Sequence, residues 1–184
     1  MSTSYDKPTV KLTYDDYLLF PFDGNRHEIV QGRHYMNPAP SPQHQTVSRH
    51  IQFQLYQQIE LSGHGQVFDA PIDLQLSDTS IVQPDLVVVL NANHIVTDTR
   101  LKGVPDLVVE ILSPSNREYD RQLKKRLYEQ HGVPEFWIVD PENKSVEQNL
   151  LGEDGRYRTT QCVEQIQFLR YAATVNLSTI WGKS

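Results

Sequence analysis

The sequence predicts an α/β domain, and three observations predict it. Two apolar strands, Pro84-Asp-Leu-Val-Val-Val89 and Pro105-Asp-Leu-Val-Val-Glu-Ile-Leu112, carry the Val-rich, near-continuous runs of strands packed on both faces. Val47, Ile51, Leu55 and Ile59 recur every four residues, an amphipathic stripe suited to covering a sheet face. A charged helix ending near His131 separates the second strand from a further buried strand, Glu135 to Val139. The 184 residues suit a single domain, 1–184, with one sizeable core and a loose arm at residues 1–9.

Taken in order, Thr13 with Asp16 forms a candidate capping box for a short helix through Leu19. Pro21 to Asn25 is a turn, and Arg26–Val30 and Arg33–Met36 are short strands joined at Gln31-Gly32 as a tight hairpin. Ser41-Pro42 opens the long helix, Ser as cap and Pro in the first turn, and Gly63 ends it. Gln66–Ala70 and Ile72–Leu76 read as strands, Ser77–Ser80 as a turn into the Asp85 strand, and Asn91–Gly103 as loop. Gly132 closes the charged helix. Turns at Pro141–Lys144 and Gly152–Gly155 frame a meander of strands to about Val163, and Thr174–Trp181 reads as a final short helix.

Composition excludes several classes. No apolar run reaches membrane-spanning length, and the polar start is not a signal peptide, which together predict a cytoplasmic protein with no membrane partner. The lone Cys162 rules out an internal disulfide and a cysteine-rich metal site. None of the seven histidines has a close zinc-ligand spacing. A net charge of −6 argues against constitutive non-specific nucleic-acid binding, although Arg117 to Arg126 holds a local basic run that reads by itself as a solvated helix face.

The candidate chemistry is acidic. Glu110 interrupts an apolar strand, where a carboxylate is costly unless paired, protonated or on a metal. Asp106 shares its face but lies about 13 Å away at 3.3 Å per residue, so the two cannot grip one ion. Asp85, on the other strand, reaches Glu110 if the strands are neighbours. Glu28 offers a third carboxylate, and Lys124 stands on the following helix between Asp120 and Tyr128. Hard carboxylate oxygens suit magnesium or manganese, and a nearby lysine can orient water or stabilise charge on phosphate.

The chain resembles a large family of restriction endonuclease-like domains in the PD-(D/E)XK nuclease superfamily. The resemblance rests on His27-Glu28-Ile29, Pro40-Ser-Pro-Gln-His44, Gln83-Pro84-Asp85, Val109-Glu-Ile-Leu-Ser-Pro-Ser115, Asp120, Lys124, Tyr128 and Gly132-Val-Pro-Glu-Phe-Trp-Ile-Val-Asp-Pro141, over most of residues 13 to 181. It implies a restriction endonuclease-like fold, with a four-stranded mixed central sheet flanked by helices, extended by the N-terminal hairpin and C-terminal strands. It implies a DNA endonuclease in which Asp85, Glu110 and the backbone carbonyl of Ile111 hold Mg2+ or Mn2+, with Glu28 as helper acid. It also implies DNA as partner and a homodimer, since nucleases of this fold often cut two strands as a pair. The superfamily lysine belongs at position 112, where this chain has Leu112, so Lys124 is the substitute amine.

Each candidate has a structural reading beside the functional one. Glu110 can be a satisfied structural carboxylate, Asp85 a strand start, Glu28 a hairpin surface residue and Lys124 a solvated helix lysine. Asp120 can be a helical salt-bridge partner and Tyr128 packing; His44 either approaches the cleft or is a cap or surface residue. Asp106 reads as structural. Two functions follow: a metal-dependent phosphodiesterase, or an inactive nuclease-fold binding or assembly module. Carboxylate-pair hydrolysis of glycosides has no sugar-shaped groove in this sequence to support it.

Overall fold

The structure is a computed structural model that describes residues 10–37, 39–113 and 117–182, the side chains of 117–120 excepted. The expected arm at residues 1–9 and the side chain of Asp120 lie outside the described residues.

Local chemistry sets the first elements. The Thr13 N–H and hydroxyl both donate to Asp16, the expected box, and start α1 (Tyr14–Tyr17), which ends before Leu19. Strands β1 (Arg26–Val30) and β2 (Arg33–Asn37) form the expected hairpin. Gln31 and Gly32 adopt φ of 53° and 81°, as a two-residue turn between right-twisted strands requires. Ser41 accepts the His44 N–H at the start of α2 (Pro42–Leu55), which runs on through a π-helical turn at Tyr56–Glu60.

The chain continues through β3 (Gly65–Asp69), β4 (Leu74–Ser77), β5 (Ser80–Val82), β6 (Leu86–Leu90), β7 (Leu101–Lys102) and β8 (Leu107–Ile111). Then come α3 (Arg117–Gln130), β9 (Glu135–Asp140), β10 (Ser145–Leu151), β11 (Tyr157–Cys162), β12 (Gln165–Phe168), β13 (Ala173–Asn176) and a 3-10 turn at Leu177–Thr179. The central sheet is six-stranded and mixed, in the order β11-β10-β9-β8-β6-β3. Only β8 and β9 in it are parallel, because α3 carries the chain back between them. A second sheet, β2-β1-β5-β4-β7, grows from the N-terminal hairpin.

The central sheet is buried on both faces, the physical reason for its apolar strands. Leu107, Val109 and Ile111 of β8 pack with Val47, Ile51, Leu55 and Ile59 of the long helix. The alternate residues Val108 and Leu112 pack with Leu127 and Tyr128 of α3, and with Val30, Leu74 and Val82 of the second sheet.

Two expectations are corrected. The segment after the Ser77–Ser80 turn is two strands, not one: β5 belongs to the second sheet and β6 to the central one. Pro84, which has no N–H to continue a ladder, lies where the chain crosses between them. The expected final helix at 174–181 is largely strand: β13 pairs with β12, which the sequence reading missed, and only Leu177–Thr179 turns helically. Ile166 opposite Val175 buries a β-branched pair on the α2 side of the core, and that burial overrides the weak helical pattern. The four-stranded mixed sheet implied by resemblance is present, extended to six strands by the C-terminal β10 and β11 as expected.

Ile51, 1% exposed, faces the central sheet, so Ile51→Ala should cost about 2–5 kcal/mol of stability. Urea unfolding monitored by tryptophan fluorescence measures this, and a loss well under 1 kcal/mol would contradict the packing of α2.

Candidate active site

The site starts from one register. Strands β6 and β8 pair antiparallel with Leu86 opposite Val109 and Val87 opposite Val108. Continued one step, that register sets Asp85 opposite Glu110 at the end of the pair. Opposite residues of an antiparallel pair share a face, so the two acids expected to meet are neighbours.

Asp85 is held from three directions. Its Oδ2 accepts the Ile111 N–H at 2.8 Å and lies 3.0 Å from His44 Nε2, while Oδ1 accepts from Arg26 Nη1 at 3.1 Å. The Ile111 carbonyl points to the same edge of β8 as its N–H, because a strand residue presents both groups to one side. The other Pro-Asp copy is a natural control. Asp106, at the far end of the same pair, accepts the Leu90 N–H at 2.9 Å and the Asn93 amide at 3.0 Å, the structural role expected of it. Both aspartates therefore tie the two strands together, but only Asp85 meets a histidine.

Glu110 belongs to a second network built by α3. Lys124 and Tyr128 stand one turn apart on one helical stripe. The Tyr128 hydroxyl donates to Glu110 Oε1 at 2.6 Å, and Lys124 Nζ lies 3.2 Å from the same oxygen. Lys124 also donates to both oxygens of Glu28, at 2.7 and 2.8 Å, and the Gln83 N–H donates to Glu28 Oε1 at 2.8 Å. Tyr128, expected as packing, is both packed and hydrogen-bonded to the site. His44 both bonds Ser41 at the helix start and reaches the acid pair.

Burial and charge set the protonation pattern. Burial raises the Glu28 carboxyl, but the Lys124 ammonium and its hydrogen bonds outweigh burial and bring it below the usual range. Asp85 is likewise raised by burial and lowered further by His44, Arg26 and the Ile111 N–H, ending below its ordinary value. Glu110 differs: burial, reinforced by the charges of Asp85 and Glu28, overcomes Lys124 and pushes it up to about 7. Burial opposes the charge on Lys124, yet Glu110 and Glu28 hold its ammonium above the normal lysine range.

Asp85, Glu110, Ile111, His44 and Lys124 line one cleft with a cavity volume of about 60 Å³. Glu28 is not among its lining residues; it stands behind Lys124. Leu112 lines the cleft with an apolar side chain, so Lys124 brings the ammonium to Glu110. Arg26 and Gln83 line it too; neither was a candidate for the site, although Gln83 stands in the Gln-Pro-Asp motif. The signal for Arg26 was present: it alternates with Glu28 on β1 and so shares its face. The basic run on α3 is only partly solvated, since Glu147 of β10 accepts ion pairs from Arg121 and Lys125.

Among the described residues no three of His, Cys, Asp and Glu are arranged to hold a metal ion. The donor set still suits a hard cation of the magnesium type, which uses one or two carboxylates and takes its remaining oxygens from water and substrate. Asp85 and Glu110 are the two carboxylates that could serve it. The Gln83 Oε1 acceptor is buried without a hydrogen-bond partner, and Gln83 lines the same cleft.

Because Lys124 and Glu28 are both buried, removing either partner leaves an uncompensated charge. Glu28→Gln and Lys124→Met should each destabilise by about 3–5 kcal/mol. The double variant should lose clearly less than the two losses added, a coupling that denaturant unfolding of all four proteins measures.

Among the described residues no helix is long and apolar enough to cross a membrane. No curated protein matches the chain. A solved structure from Anabaena variabilis ATCC 29413, described as a "putative nuclease belonging to DUF820", superposes with a TM-score of 0.77. It is 17% identical and the match covers 92% of this chain and 97% of that one, a likeness of fold. The family Uma2, described as "Putative restriction endonuclease", matches residues 14–178, and the chain belongs to that family.

Proposed function

We propose that the chain is a metal-dependent nuclease that hydrolyses phosphodiester bonds in DNA, with Asp85 and Glu110 holding Mg2+ or Mn2+. The observation that carries this reading is the pairing of Asp85 with Glu110 across β6 and β8, with the Lys124 ammonium 3.2 Å from Glu110 in the same cleft. Family membership supports a nuclease, and the acid chemistry supports the cation.

A cation held by Asp85 and Glu110 would supply Lewis acidity to a phosphodiester oxygen and to the attacking water. The chain's own residues do the rest. Asp85 is oriented by Arg26, His44 and the Ile111 N–H, leaving one carboxylate lone-pair position for a ligand. Glu110, 15% exposed at its side chain, is oriented by the Tyr128 hydroxyl. Its carboxyl near 7 is poised to exchange a proton for a cation. Glu28 fixes the Lys124 ammonium, which stands ready to stabilise negative charge growing on the phosphate. In this reading Glu28 is a positioning residue rather than a direct ligand. Asp120 keeps only its expected place on the helix.

A second reading, an inactive nuclease-fold module, is favoured by one feature. Position 112 is a buried leucine that packs in the core between α3 and the second sheet. The two readings separate in a calorimetric titration. Mn2+ should bind wild type and fail to bind Asp85→Ala, while Asp106→Ala should lose about 1–3 kcal/mol of stability and keep its Mn2+ affinity. A plasmid-nicking assay with Mg2+ or Mn2+ should then show activity in wild type and Asp106→Ala and none in Asp85→Ala or Lys124→Met. Cation binding without cleavage of any DNA would favour the module.

A further inference from the structure

Gln83 stands where the chain crosses from β5 to Asp85, and its side chain is gripped on one side only. Its Nε2 donates to the Tyr17 hydroxyl at 3.0 Å and to Asp73 Oδ1 at 2.9 Å. The Tyr17 hydroxyl in turn donates to the same Asp73 oxygen at 2.6 Å. That oxygen is an acceptor for both, so the amide atom facing it has to be the nitrogen, and chemistry fixes which end of the amide is which. The carbonyl end, Oε1, is therefore turned away from the clamp. It is buried, has no hydrogen-bond partner, and belongs to a residue that lines the cleft of Asp85 and Glu110; of the three such orphan atoms on described cleft residues, the others being Arg26 Nε and His44 Nδ1, it is the one oxygen. Buried acceptors nearly always have a partner, so an orphan in a candidate site calls for one.

The chemistry of the missing partner is constrained. An unpartnered oxygen acceptor on a residue that shares a cleft with two carboxylates does not suit a phosphate or any other anion. It suits a hard divalent cation, bound directly or through the hydrogens of a water on that cation. We propose that Gln83 Oε1 is a further, neutral oxygen donor to the cation held by Asp85 and Glu110, and that Tyr17 and Asp73 are its positioning residues. This rests on the metal-site reading above and extends it to a clamp outside the cleft, since neither Tyr17 nor Asp73 lines the cavity. The clamp ties α1 and the segment before β4 to the site, giving these peripheral elements a role in cation affinity. A neutral donor also adds coordination without adding to the negative charge already crowding Glu110.

The test is Mn2+ affinity by calorimetry in wild type, Gln83→Met, Asp73→Ala and Asp85→Ala, each checked for folding by thermal unfolding. Water-proton relaxation of the bound Mn2+ is measured alongside. Gln83→Met, close in size and without the acceptor, should weaken Mn2+ about tenfold and raise the relaxivity as water replaces the lost oxygen. Asp73→Ala, which frees the amide to turn over, should weaken Mn2+ in the same direction. A structural role alone would lower the melting temperature and leave affinity and relaxivity unchanged; that result in folded Gln83→Met and Asp73→Ala overturns the proposal. If Asp85→Ala alone abolishes binding, the metal site stands and the role of Gln83 falls. Absence of Mn2+ binding to wild type overturns both.

Discussion

The antiparallel register of β6 and β8 is the constraint on which the site depends. With Leu86 opposite Val109, the acid that precedes one strand falls beside the acid within the other. A slip of one residue would turn Glu110 to the opposite face of the sheet, into the apolar contact with α2. The register is held from both ends by the same device. Asp85 accepts the Ile111 N–H and Asp106 accepts the Leu90 N–H, so each Pro-Asp copy ties down the far end of its partner strand. The aspartate offered as a ligand is thus also a structural part of the frame that aligns it.

Around that pair the structure resolves a problem of buried charge. Three carboxylates enter a largely apolar region and find their cations and donors on other elements: Asp85 meets Arg26 of β1 and His44 of α2, while Glu28 and Glu110 meet Lys124 and Tyr128 of α3. Two acids are fully compensated and stay ionised below their usual range. Glu110 is left undercompensated and retains its proton to about 7. Under the proposed metal reading Glu110 would exchange its proton for a cation beside the ionised Asp85, while Glu28 would serve as fixed scaffolding.

Much of the fold was legible because it follows from local pattern. The Val47-Ile51-Leu55-Ile59 stripe, the Gln31-Gly32 turn, the Thr13 box and the strands around Val87, Val109 and Ile138 depend on spacing and turn chemistry that neighbours did not override. The misses share a different cause. Ser80–Val82 and Ala173–Asn176 are strands because they found partners: the first meets Ile29, distant in sequence, as well as the adjacent β4, and the second meets Ile166 across a short hairpin. A three- or four-residue strand carries too little pattern of its own to announce such a partner.

By itself the sequence determined the periodic elements, the two Pro-Asp strands and the residue types of an acidic, oxygen-rich site, since these rest on spacing and side-chain chemistry. Tertiary structure alone decided which acids meet, that Glu28 stands behind Lys124 rather than in the cleft, and that Arg26, His44 and Gln83 complete the surroundings of Asp85 and Glu110. The physical reason is that burial and charge compensation are properties of side chains brought together from separate elements. Lys124 and Glu28, 96 positions apart, illustrate it: each would be an ordinary surface residue without the other, and they can be buried only together.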